Sequence, residues 1–125
     1  MKASSSDLPE ISYPEACKLL EDMRKYYVRL NPMDEAENFY RLTQHFKQED
    51  VADALGISRG YIYKRLTLLE LDSELQDLVR KNELAPNTGY ELTRGGASMQ
   101  ERWLAAYRRK QEEQLKREEP EVEGE

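Results

Sequence analysis

Arg59, Lys64 and Arg65 put three cations into the stretch from Ser58 to Thr67, which holds no carboxylate. Cations gathered without anions on a short segment form the electrostatic footprint of a surface that meets phosphate. If that segment is a helix with Ile62, Leu66 and Leu69 turned inward, then Ser58, Arg59, Gly60, Tyr63, Lys64 and Thr67 face outward. Near the N-terminus of such a helix the Arg59 guanidinium fork can pair with O6 and N7 of guanine, a contact that discriminates between bases by ~1–3 kcal/mol. Lys64 can reach a base edge or a phosphate. Tyr63 can donate to a phosphate or pack on a thymine methyl. Gln48, at the start of the preceding predicted helix, can clamp a backbone phosphate with its amide and the adjacent N–H groups. Gly60 costs a helix about 1 kcal/mol relative to alanine. Either a side chain there would hold the helix off a duplex, or it is a tolerated glycine in a first turn. The chemistry these residues can do is recognition of double-stranded DNA in the major groove.

Such a helix must be held at a fixed angle, and the preceding residues supply the means. A helix-turn-helix needs a small residue where its first helix crosses the second, a turn residue tolerant of positive φ, and a buried aliphatic to anchor the second helix. Ala52 is the small residue, Gly56 the turn, and Ile62 the anchor, with Val51, Leu55 and Ile57 completing the contacts. The spacing predicts a helix from Gln48 to Leu55, stopped at Gly56, and a second over about 59–69 capped by Ser58.

The rest of the chain reads as helical too. Ser12 with Glu15 is a capping box, and Ala16, Leu19, Leu20, Met23 and Tyr27 repeat at helical spacing over about 13–27. Asn31-Pro32 starts a second helix, about 32–46, with Ala36, Phe39, Tyr40 and Phe46 on one side and Asp34, Glu35 and Glu37 favouring its N-terminus. Asp72 or Ser73 starts another, with Leu75, Leu78 and Val79 inward, ending at Asn82 or Glu83. Pro86-Asn87 opens a short helix to about Thr93. After a break at Arg94-Gly95-Gly96, a Ser98–Glu101 capping box starts a last helix to about Lys116. The expected fold is all-α, a compact domain of about seven helices. Residues 1–11 are expected to be a disordered N-terminus, 12–95 the helix-turn-helix domain, 96–117 a C-terminal helix and 118–125 an acidic disordered tail.

The formal charge of the 125 residues is −6, the wrong sign for a DNA-binding surface. Its distribution resolves the conflict: −3 over residues 1–40, +1 over 41–109 and −4 over 110–125. Cys17, the one cysteine, forms no intrachain disulfide and reads as a small core hydrophobe in a reducing compartment. With His45 the one histidine there is no zinc-ligand set, so no metal is expected. No G-x-S-x-G, P-loop or G-x-G-x-x-G sequence occurs, and no acid, base and nucleophile stand together; neither enzyme activity nor a cofactor is expected. There is no apolar run of membrane-spanning length and no secretory h-region, so a cytoplasmic protein, associated with nucleoid or plasmid DNA, is expected.

Several segments, in order, resemble the central domain of ParB-like chromosome and plasmid partition proteins. Leu30 to Glu37 looks like that family's L-N-P-x-E-E-A segment, and Gln48-Glu49-Asp50-Val51-Ala52 is similar to T-Q-E-E-V-A, with Lys47 in place of the threonine. Gly56-Ile57-Ser58-Arg59 through Ile62 matches G-x-S-R-x-x-V, and Leu66 to Leu71 matches L-x-L-L-x-L. The likeness spans about residues 12–93. It implies a palindromic, centromere-like DNA site, with Gln48, Ser58, Arg59, Gly60 and Lys64 at contacting positions. Two departures carry expectations of their own. Where the family has S-x-G-H-A-R, an auxiliary contact segment, this chain has Ala85-Pro86-Asn87-Thr88-Gly89-Tyr90. The family's nucleotide-binding G-E-R-R box is missing, and its E-N-x-x-R positions read Arg24-Lys25-Tyr26-Tyr27-Val28, so no CTP binding and no clamp sliding are expected.

The reading is thus a sequence-specific DNA-binding protein, either a stand-alone partition element or a small transcriptional regulator. A homodimer on a palindrome would supply the affinity that so few cations do not. Trp103 and Tyr107 are expected to pack the last helix on the core, leaving Arg108 to Glu119 to solvent or a protein partner. The competing reading is a protein-interaction adaptor that keeps the helical fold, which the net charge favours.

Overall fold

The computed structural model describes residues 8–26 and 31–118. Six helices are present among them: α1 (Tyr13–Lys25), α2 (Pro32–Thr43), α3 (Gln48–Leu55), α4 (Arg59–Thr67), α5 (Ser73–Arg80) and α6 (Pro86–Glu118), with a 3₁₀ turn, Leu68–Glu70, after α4. No described residue lies in a strand, and the all-α class holds. The expected tail and residues 1–7 fall outside the described residues, as do Tyr27 to Leu30.

The caps set the starts of these helices. Ser12 Oγ accepts the Glu15 N–H at 3.2 Å and the Glu15 carboxylate accepts the Ser12 N–H at 2.8 Å, a reciprocal box. Those hydrogen bonds also hold the Glu15 carboxyl below the usual carboxylate range. Asn31 Oδ1 accepts the Met33 N–H at 2.9 Å and its amide donates to the Arg80 carbonyl at 2.9 Å, so one side chain starts α2 and ties it to the end of α5. Asp72 caps α5 by accepting the Glu74 N–H. The same helix closes with Asn82 at φ 64°, where the Glu83 N–H reaches the Leu78 carbonyl and the Asn82 N–H the Val79 carbonyl.

α2 is the spine. Its Met33 and Ala36 join Leu68, Leu69, Leu71, Leu75, Val79, Leu84, Leu92 and Leu104 in one core. One turn on, Phe39 and Leu42 join Ala16, Met23, Val51, Ala52 and Ile62 in a second. Leu66 packs against both. The second core backs α3 and α4, and the first carries α5 and α6. Residues 8–11 precede the first helix without regular structure, but Leu8 and Ile11 pack on the two cores and the Ile11 carbonyl lies 2.8 Å from His45 Nε2.

Two features differ from the sequence expectation. α2 ends at Thr43, three residues early, because the His45 and Phe46 N–H groups both turn back to the Leu42 carbonyl. The turn brings Phe46 onto the second core, which extends the apolar pattern beyond the helix. The break expected at Arg94-Gly95-Gly96 falls at Gly96 (φ 81°, ψ −175°), where the last two predicted helices join end to end as α6, but Ser98 lies inside the second of them instead of capping it. That backbone conformation is open to glycine almost alone. Gln100 bridges the break: Oε1 accepts the Asp72 N–H at 2.9 Å and Nε2 donates to the Leu92 carbonyl at 3.4 Å. Beyond it Leu104 is buried, Trp103 stacks on Tyr107 with centroids 5.3 Å apart, and Arg108 pairs with Glu74 at 2.5 Å. Every residue from Arg108 to Glu118 is exposed, as expected for the charged half. Gly96→Ala should cost about 1–3 kcal/mol, read as a lower urea midpoint with unchanged slope.

Candidate nucleic-acid interface

α3 and α4 form the expected helix-turn-helix. α3 is preceded by Lys47, which makes no side-chain capping bond, and is closed by Gly56, φ 69°, ψ 31°. There the Ile57 N–H reaches the Ala52 carbonyl at 3.0 Å and the Gly56 N–H the Asp53 carbonyl at 3.3 Å. This left-handed cap reverses the chain within two residues, and the position suits glycine because a Cβ is disfavoured there. Ser58 then caps α4, its Oγ accepting the Tyr61 N–H at 3.0 Å. Val51, Ala52 and Ile62 are buried where the two helices cross.

The outer face of α4 carries most of the predicted residues. Ser58, Arg59, Gly60 and Lys64 are exposed, and Tyr63 is 54% exposed. Gln48 is half-buried at the start of α3. Arg59 makes no ion pair with a described residue. Thr67 is a correction: it was expected outward but is buried, 7% exposed, its hydroxyl donating to the Lys64 carbonyl at 2.7 Å. It is the last residue of α4, where the chain tightens into the 3₁₀ turn and the helical phase no longer predicts which way a side chain points.

Arg65 is the second correction, to the cation count. Its Nε donates to Glu35 Oε1 of α2 at 2.9 Å, and the same oxygen accepts the Tyr61 hydroxyl at 2.6 Å. Glu35 is 1% exposed. The charge of Arg65 is therefore spent inside the domain, and the expectation that Glu35 serves mainly the α2 dipole misses its partner. Sequence reasoning also missed a pair on α6. Lys64 Nζ lies 5.4 Å from the centre of the Tyr90 ring and Arg94 Cζ 5.9 Å from it. Both distances are within cation–π range. The α6 N-terminal half thus places Arg94, itself paired with Glu91 at 3.8 Å, beside α4 through the tyrosine that departs from the S-x-G-H-A-R pattern. α3 is the reverse: Glu49, Asp50 and Asp53 are all exposed, and the helix carries no cation of its own.

Gly60 has room. A Cβ built there meets nothing nearer than Ser58 Oγ at 3.9 Å, so nothing inside the fold demands glycine. Gly60→Ala should stabilise the domain by up to about 1 kcal/mol through helix propensity. If the glycine serves close approach to a duplex, the same variant weakens DNA binding; a thermal melt and an anisotropy titration on one sample read the two effects, and unchanged binding leaves only the tolerated-glycine reading.

Among the described residues no group of three or more histidine, cysteine or acidic side chains could hold a metal, and no helix is long and apolar enough to cross a membrane. Cys17 is half-buried and free. A family model described as the ParB HTH domain matches residues 28–121. No curated protein and no solved structure gives a significant match.

Proposed function

The chain belongs to the ParB helix-turn-helix domain family, and from that premise we propose that it reads a specific sequence of double-stranded DNA by laying α4 in the major groove. The observation that carries the reading is the α4 outer face, where Arg59 and Lys64 stand exposed on a helix whose remaining cation, Arg65, is tied inward. Arg59 takes guanine through O6 and N7. Lys64 takes a base edge or a phosphate, Tyr63 a phosphate or a thymine methyl, and Ser58 a neighbouring acceptor. Gln48 and the first N–H groups of α3 hold a phosphate. Gly60 lets the helix close on the groove. Thr67 is left out of this set because it is buried.

The site is a palindrome read by two copies, since each copy presents few cations and two-fold pairing multiplies the contacts. The chain acts in the cytoplasm on nucleoid or plasmid DNA, as a partition element or a small transcriptional regulator, and performs no catalysis.

The exposed acids of α3 favour a second reading, an adaptor that keeps the fold and binds a protein partner, with the exposed end of α6 as a contact. Salt separates the two. Neutralised phosphates release counterions, so log K for a duplex falls with log salt at about 0.9 per phosphate contact. A slope of several units supports the DNA reading. A flat, weak response at all salt concentrations transfers support to the adaptor.

A further inference from the structure

The buried carboxylate of Glu35 joins α2 to α4. A buried ion pair often stabilises a fold no better than well-packed apolar groups of the same volume. What it supplies is direction. One oxygen, Oε1, receives both the Tyr61 hydroxyl at 2.6 Å and Arg65 Nε at 2.9 Å. Tyr61 and Arg65 are one turn apart on α4, and the Arg65 guanidinium lies 4.6 Å from the Tyr61 ring centre. One turn along α2, Phe39 meets the same ring edge-on, 6.2 Å away at 80°. Glu35 and Phe39 thus grip one line of α4 along two of its residues. That line fixes the rotation of α4 about its own axis. With about 100° between successive residues, Lys64 and Arg65 point to different flanks of α4, and only the second is drawn inward, its side chain 19% exposed.

We propose that Glu35 is the positioning residue of the reading helix: it holds the Arg65 charge away from the duplex, so that Arg59 and Lys64 alone of the α4 cations meet DNA. This rests on the DNA-binding reading above. The consequence is specificity. A third free arginine on α4 would find phosphate on any sequence, raising non-specific affinity without adding discrimination.

The test uses the full chain, the duplex it enriches from a random pool, and a scrambled duplex of equal length. Glu35→Gln keeps the size of the side chain and an acceptor for Tyr61, but removes the charge that neutralises Arg65. Its salt slope on the scrambled duplex is expected to steepen by about 0.9, one added phosphate contact, and its preference for the enriched duplex to fall several-fold. Glu35→Gln combined with Arg65→Gln removes both charges and is expected to bring slope and preference back to those of the native chain. Arg65→Gln alone is expected to leave the native slope unchanged. The proposal is overturned if Glu35→Gln leaves slope and preference as they were, if the double variant fails to restore them while melting as a folded domain, or if Arg65→Gln flattens the slope by about 0.9, the mark of a lost phosphate contact. Should Glu35→Gln not fold, the Arg65→Gln slope decides alone. A native chain that enriches no duplex removes the underlying reading; a native chain that does, with unchanged variants, removes only the role of Glu35.

Discussion

Replacing Arg59 and Lys64 together by alanine is expected to abolish selection of the DNA site while leaving the helical fold intact. Both side chains are exposed, and neither belongs to the buried set that holds α4 in place. Surface changes away from special features usually stay within about 0.5 kcal/mol of native stability. The binding loss is larger. A bidentate arginine–guanine contact discriminates by ~1–3 kcal/mol, which is roughly 5- to 150-fold in affinity. Lys64 adds a phosphate or base contact and leaves Tyr90 without one of its two cations. The two variants should separate: Arg59→Ala relaxes the preference at one base position, and Lys64→Ala lowers affinity on all sequences and flattens the salt slope by about 0.9 if it meets phosphate. Selection from a random pool, with a circular dichroism melt of the same protein, reads both halves. A double variant that still enriches the same duplexes would show that α4 is not the reading helix.

The largest loss of stability is expected at Phe39. It is fully buried, on the turn of α2 that joins Ala16 and Met23 of α1, Val51 and Ala52 of α3 and Ile62 of α4. Removing a buried phenylalanine side chain costs about 3–5 kcal/mol, the lost transfer energy plus the cavity left behind. Against a total of about 5–15 kcal/mol for a domain, that is enough to unfold a fraction of the molecules at moderate temperature. The effect reaches function because this core backs both helices of the reader, and Phe39 also buttresses Tyr61. Phe39→Ala should therefore bind DNA weakly in proportion to its unfolded fraction, with binding recovered on cooling towards the temperature of maximum stability. Urea unfolding measures the loss. A cost below about 1 kcal/mol would place this site outside the range for buried aromatics and mean that α1 and α3 close over the gap.

Local chemistry made much of this molecule legible from sequence. The Ser12–Glu15 box, Asn31-Pro32, Gly56 and Ser58 each satisfy backbone groups within a few residues, so they mark α1, α2, α3 and α4 without knowledge of the fold. The outward direction of Arg59, Gly60, Tyr63 and Lys64 followed from helical phase alone, because α4 is regular up to that point. Thr67 shows where that reasoning stops: one residue before the 3₁₀ turn, the phase slips and the side chain turns in. The Glu35–Arg65 pair was illegible for a different reason. Its members lie thirty residues apart, and each has an adequate local explanation, as a helix-dipole acid and as one cation of a basic stretch. Tertiary contact alone reveals that they cancel. Gln76 and Gln100 are similar: both are buried and donate or accept across elements, holding the 3₁₀ turn and the α6 break, yet nothing in their sequence neighbourhoods distinguishes them from surface glutamines.

The corrected charge pattern sharpens the picture of the interface. The three cations read from Ser58 to Thr67 reduce to two, Arg59 and Lys64, and Arg94, itself paired with Glu91, lies across Tyr90 from Lys64 on α6. On the proposed DNA reading, a small cationic surface set beside the acids of α3 would orient a duplex as well as attract it, since phosphate is repelled on one side and drawn on the other. So few cations would also give a single copy low affinity, which is the reason for proposing two copies on a palindrome.

The most direct measurement of the central claim is selection by the full chain from a pool of random duplex DNA at low salt, with its molecular mass in solution recorded alone and on the enriched duplex. The account predicts one enriched motif with two-fold symmetry, bound by two copies and lost steeply as salt is raised. Enrichment of no duplex sequence at low salt would contradict it.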